Sequence, residues 1–154
     1  MKLYLVQHGK PVPKEKNPDR PLSEQGISDV EQVAIFLKKA QVKCFNILHS
    51  GKTRAQETAE ILARALSPGT EPQQKDGLAP LDDVRPIAQW LKGENEDCML
   101  VGHLPHLGKL VSYLVVHDVK TAVASFQQGC VVCLESGENA AWTLAWMIIP
   151  QIIT

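Results

Sequence analysis

The sequence has no surplus of charge of either sign. Lysine and arginine total 16 against 17 acidic residues, a formal net charge of −1. Without a basic field, neither nucleic acid nor an anionic membrane surface is expected as a partner. No apolar run approaches the length of a transmembrane helix. The apolar stretch in MKLYLVQHG is too short for the core of a signal peptide, so a cytoplasmic protein is expected. Aromatic residues are few, 5%, and no aromatic stripe interleaves with basic residues; Trp90, Trp142 and Trp146 read as core. There is no internal repeat, low-complexity tract or linker rich enough to divide the 154 residues, and a single domain over 1–154 is expected.

Cysteine is also sparse: Cys44, Cys98, Cys130 and Cys133. The last two form a CxxC, but no second CxxC or nearby Cys-His pair completes a zinc site. On a strand, positions i and i+3 point to opposite faces, so the pair reads as structural. The sequence indicates no metal and no cofactor.

What is present is an alternation of apolar runs and periodic segments, 44% hydrophobic and 21% charged overall, which indicates a globular α/β fold. Lys2–Val6, CFNILHS and CMLVGH read as strands. Ser23 is placed to cap a helix with Ile27, Val30, Ala34 and Leu37 on one face. TRAQETAEILARAL, LDDVRPIAQWLKG and LPHLGKLVSYLVV read as three further helices, and SPGTEPQQKDG as a loop. GCVVCLESGENAAWTLAWMII reads as a C-terminal hairpin.

Three polar residues share one kind of position. His8, Ser50 and His103 each follow an apolar run, at the C-terminal end of a strand. In open α/β sheets ligands bind at those ends, so residues distant in sequence are expected to meet there. Arg54 follows Ser50 by one helical turn, in the first turn of a helix whose free N–H groups suit an anion. Two histidines, an arginine and a helix N-terminus make a reasonable phosphate site with a histidine nucleophile. SGKT (Ser50 to Thr53) is not a P-loop, because Asn46 stands where that motif needs glycine.

Four segments resemble, in order, motifs of the histidine phosphatase superfamily and of its small SixA-type phosphohistidine phosphatases. LYLVQHGK resembles the strand-Arg-His-Gly motif, and RPLSEQG resembles the Arg-Pro-Leu-Thr-x-x-Gly segment. ILHSGKTRAQETAEIL resembles the Ser-Pro-x-x-Arg-Ala-x-x-Thr segment, and LVGHLPHLGKLV the Ser/Gly-His-x-Pro segment. The resemblance covers almost the whole chain. It implies a three-layer α/β/α fold of the phosphoglycerate mutase type, with a mostly parallel central sheet. It also implies a phosphatase acting through a phosphohistidine intermediate, without metal or cofactor. His8 would be the nucleophile, His103 would flank the phosphate and donate to it, and Arg54 would clamp its oxygens. Gln7, Arg20 and Ser50 would contact substrate. The implied substrate is phosphohistidine on a protein partner. Small phosphate esters, or binding of a phosphorylated ligand without turnover, are the alternatives.

Gln7 stands where the family has arginine, exchanging a charged bidentate fork for a neutral amide. The expected loss is about 1–2 kcal/mol, or roughly tenfold in rate. Gly51 replaces a proline, a change expected to matter little. Gly9 is expected to let the backbone turn tightly beside the phosphate. Asp76, Asp82 and Asp83 are the candidates for a general acid, none of them in a matching motif. His106 reads as a surface or pocket-rim residue, His49 and His117 as structural or solvated, and Arg64 and Arg85 as exposed helix charges. Lys14 to Lys16 reads as a solvated loop.

Overall fold

The computed structural model describes residues 1–153. Six strands form one sheet in the order β3-β2-β4-β1-β5-β6. They are β1 (Lys2–Gln7), β2 (Asn46–His49), β3 (Gln73–Gln74), β4 (Cys98–Gly102), β5 (Val131–Ser136) and β6 (Trp142–Ile148). β3, β2, β4 and β1 run parallel, and β5 and β6 add an antiparallel hairpin at the other edge. The expected mostly parallel sheet with a C-terminal hairpin is therefore observed. The two-residue β3 falls inside the segment read as a loop. It is too short for any periodicity, and only its pairing with Leu48 and His49 defines it.

Four helices cover the two faces: α1 (Glu24–Lys39), α2 (Thr53–Leu66), α3 (Arg85–Leu91) and α4 (His106–Val116). α1 and α2 pack on Tyr4, Val6, Ile47, Met99 and Val101. α3 and α4 pack on the alternate residues Leu3, Leu5, Leu48, Cys98 and Leu100. β1 and β4 are thus buried on both faces, as central parallel strands are. Each fully buried leucine of this core contributes about 1.5–3 kcal/mol by leaving water.

Local chemistry sets the helix ends. Ser23 caps α1, its Oγ accepting the Gly26 N–H at 3.1 Å. Glu24 lies in the first turn of α1 and Lys38 and Lys39 in the last, matching the helix dipole. Val33 joins Val30, Ala34 and Leu37 on the buried face of α1, and Ile27, which the periodicity assigns to that face, lies at its margin, 36% exposed.

Cys130 and Cys133 belong to opposite core layers, and all four cysteines are buried and free. Burial pushes the Cys44 and Cys133 thiols up to about 11. The tryptophans are half-buried at the margins of the core: Trp146 against one layer, Trp90 and Trp142 against the other. Lys75 Nζ lies 4.1 Å from the centre of the Trp90 ring. No helix among the described residues is long and apolar enough to cross a membrane.

Candidate active site

β1 and β4 are neighbours in register, Gln7 opposite Gly102. Both strands end there, so the next residues, His8 and His103, emerge side by side although 95 positions apart in sequence. Their ring centroids are 5.0 Å apart with planes at 50°. The His8 N–H donates to the Gly102 carbonyl at 3.1 Å, which fixes one strand end to the other.

His8 is 7% exposed. Its Nδ1 stands 2.7 Å from the Gly9 carbonyl oxygen, an acceptor only, so Nδ1 carries the proton and Nε2 keeps its lone pair. The His8 pKa is lowered to about 4, chiefly by burial, with the Gly9 hydrogen bond opposing the shift and the positive charges of Arg54 and Arg20 adding to it. The imidazole is neutral near pH 7. His103, 1% exposed, is held at about 3, first by burial and then by His8, Arg54, Lys52 and His106. Its Nε2 lies 2.6 Å from Ser50 Oγ, at the end of β2, while its Nδ1 is buried without a partner.

Arg54 lies in the first turn of α2, as the sequence predicts, and its guanidinium is disfavoured by burial and then by Arg20. Arg20 reaches the site from the long loop after β1. A bridge between Pro11 and Leu22 and a 2.7 Å hydrogen bond from the Val12 N–H to the Pro21 carbonyl close that loop. Arg20 itself adopts a left-handed φ of 48°. The Nε atoms of both arginines are buried and unpartnered. Among the described residues the one ion pair is Arg85 with Asp83, so neither Arg20 nor Arg54 has an acidic partner. Two uncompensated guanidiniums beside two neutral imidazoles suit a doubly charged anion.

Gln7 is buried immediately before His8, and its Oε1 has no partner. Asp76, Asp82 and Asp83 line a cleft of about 490 Å³ that begins at Ser50. Asp82 accepts the Ala79 N–H and Asp83 accepts from Arg85, which holds its carboxyl down at about 2. No group of three or more His, Cys, Asp or Glu side chains among the described residues could hold a metal ion.

Four readings of the sequence need correction or addition. His106 is not a rim residue: it is fully buried at the start of α4, with the Gly77 backbone against its ring. Gly9 is needed for packing rather than for a turn. A β-carbon there would stand 2.8 Å from Val30 Cγ2 and 3.1 Å from the Gly26 carbonyl. Gly51 has a φ of +91°, which proline cannot adopt, and its N–H donates to His49 Nδ1 at 3.1 Å. Thr58, the threonine that ends the Ser-Pro-x-x-Arg-Ala-x-x-Thr segment, has no role assigned from the sequence. It is fully buried in α2, where its Oγ1 accepts the Gly9 N–H at 3.0 Å and donates to the Arg54 carbonyl at 2.7 Å. Its signal is its place in that motif, in a helix interior one turn after Arg54.

A family model described as the histidine phosphatase superfamily, branch 1, matches residues 3–82, which carry β1, the Arg20 loop and the Ser50–Arg54 turn. The chain belongs to the histidine phosphatase superfamily. An uncharacterized protein of Picosynechococcus sp. is 35% identical over 71% of this chain and 70% of its own length. Phosphohistidine phosphatase SixA of Escherichia coli is 24% identical over 97% of this chain and 94% of its own. The structure of the protein histidine phosphatase SixA complexed with tungstate superposes with a TM-score of 0.87 at 22% identity, covering 100% of both chains. The fold is thus that of SixA from end to end, including the C-terminal hairpin beyond the matched residues. Family membership places the protein among phosphatases.

Proposed function

We propose that the protein hydrolyses phosphohistidine on a protein partner through a phosphorylated His8, with no metal in the reaction. The supporting observation is the state of His8: Nδ1 held by the Gly9 carbonyl at 2.7 Å, Nε2 unprotonated, and the pKa near 4. The Nε2 lone pair attacks phosphorus, and the bond from phosphorus to the substrate imidazole breaks. That imidazole takes a proton from solvent and leaves. Water then attacks phosphorus, the bond to Nε2 breaks, and inorganic phosphate departs. Arg54, Arg20 and His103 stabilise the charge on the equatorial oxygens, the main demand of phosphoryl transfer. An imidazole leaves more readily than an alkoxide, so the reaction leans little on a general acid.

The test uses a 32P-labelled phosphohistidine protein as substrate. Wild type should take up label transiently and release phosphate, and His8→Ala should do neither. Hydrolysis that survives His8→Ala would sink this reading. One observation favours small phosphate esters instead: Asp76 and Asp82, neither paired with a cation among the described residues, line the cleft adjoining Ser50, in position for one of them to serve as general acid to a leaving alkoxide. Turnover of phosphate monoesters at rates matching phosphohistidine would support that second reading.

A further inference from the structure

The turn from β2 into α2 is closed by side chains. The Gly51 N–H donates to His49 Nδ1 at 3.1 Å, and the Lys52 N–H donates to Ser50 Oγ at 3.3 Å. Both are closures from residue i to i+2, of the kind that polar side chains offer to turns. The first requires a backbone N–H at position 51, which the proline of the family pattern would lack. This chain therefore builds the turn with its own device.

The product of the turn is the place of Ser50 Oγ, 2.6 Å from His103 Nε2. The Lys52 N–H occupies one lone pair of that oxygen, which leaves the hydroxyl either to donate to Nε2 or to accept from it; the donating arrangement is the one that frees a proton on His103 for an anion. His103 then carries its own proton on Nδ1, which is buried and unpartnered. A free N–H near the uncompensated Arg54 guanidinium is what an anion needs. His49 is 5% exposed, and burial lowers its pKa against the charge of Glu60. It stays neutral, with Nδ1 as acceptor and the proton on Nε2.

We infer that Ser50 and His49 are positioning residues: Ser50 fixes His103 as the Nδ1–H tautomer, and His49, through the Gly51 N–H, holds Ser50 in place to do so. The inference rests on His103 donating to phosphate, and it moves Ser50 from contact with substrate to contact with His103.

Long-range 1H–15N correlation spectra of the 15N-labelled full chain at pH 7 read each histidine tautomer with no substrate present. His103 should be protonated on Nδ1 in wild type and should lose that preference in Ser50→Ala. Affinity for inorganic phosphate, read by titrating the same resonances, should fall about tenfold in Ser50→Ala. His49→Ala should shift His103 in the same direction. His49→Asn, whose Oδ1 replaces Nδ1 as acceptor, should restore the wild-type signals. A wild-type His103 protonated on Nε2, or an unchanged tautomer in Ser50→Ala, overturns the inference. So does His49→Asn that is folded yet leaves His103 as Ser50→Ala does. If His49→Ala does not fold, the other two variants still decide. Should wild type show the predicted tautomers and bind phosphate but turn over no phosphorylated substrate, the phosphatase reading fails and this inference stands.

Discussion

Gly26 lies so close to Lys10 that a β-carbon on it would overlap the Lys10 carbonyl oxygen. The same carbonyl accepts the Ser23 N–H and hydroxyl, each at 2.9 Å, so it cannot retreat without breaking the start of α1. Gly26→Ala should therefore destabilise the fold by about 3 kcal/mol, read as a lower urea midpoint. A loss below about 0.5 kcal/mol would show that the contact relaxes freely. Gly69→Ala, with nothing within 4 Å of the added carbon, carries only the strain of its φ of +89° and should cost less.

Stability should fall on acidification through the two site histidines. The fold holds His8 at about 4 and His103 at about 3, against an ordinary value of 6.5. Between those limits the unfolded chain binds protons that the folded chain refuses. Their contribution is complete above about pH 6.5 and is lost as pH falls toward 4 and 3, with a slope of up to about 1.4 kcal/mol per pH unit for each group. Urea midpoints from pH 7 to 4.5 should drop more steeply for wild type than for a His8→Ala, His103→Asn double variant. Parallel curves would contradict the buried, neutral state of both rings.

Thr58→Val keeps the shape of the side chain and removes its hydroxyl. The Gly9 N–H then loses its acceptor in a buried setting, at a cost of about 1–3 kcal/mol. Because Gly9 also holds His8 Nδ1, turnover should fall with stability. Phosphate release and denaturant midpoints check the two effects, and activity unchanged within twofold would separate Thr58 from the nucleophile.

Gln7→Arg supplies the charged fork that this chain lacks. If Gln7 is a weakened clamp, phosphate release should rise about tenfold, corresponding to about 1.4 kcal/mol of transition-state stabilisation. Phosphopeptide binding with no turnover in either form would instead favour a protein that binds phosphorylated ligands without hydrolysing them.

Much of this was legible in the sequence because the signals were local. α2 begins and ends where its periodicity does, Thr53 to Leu66, and Ser23 caps α1 by its own side chain. The strand-end histidines were legible too, since an apolar run broken by His-Gly or His-Leu-Pro marks where a strand stops. Three-dimensional partnerships were not. His106 follows a proline and looks like a polar helix start, yet it is sealed beneath the site. Gly51 looked like a harmless replacement because its backbone angle and its bond to His49 exist only once β2 and α2 are placed. Thr58 gained its role only when β1 brought Gly9 against α2.

The pairing of Gln7 with Gly102 has a thermodynamic consequence. A ligand held by His8 and His103 grips two central strands that close a loop of more than half the chain. No partly unfolded form that separates β1 from β4 can bind it, so its binding energy adds to global unfolding rather than to local fraying. At a hundred times its dissociation constant, an oxyanion here stabilises the whole molecule by about 2.7 kcal/mol. Hydrogen exchange in the deepest core, far from the histidines, should slow accordingly, making the interior of the sheet a reporter of what occupies its edge.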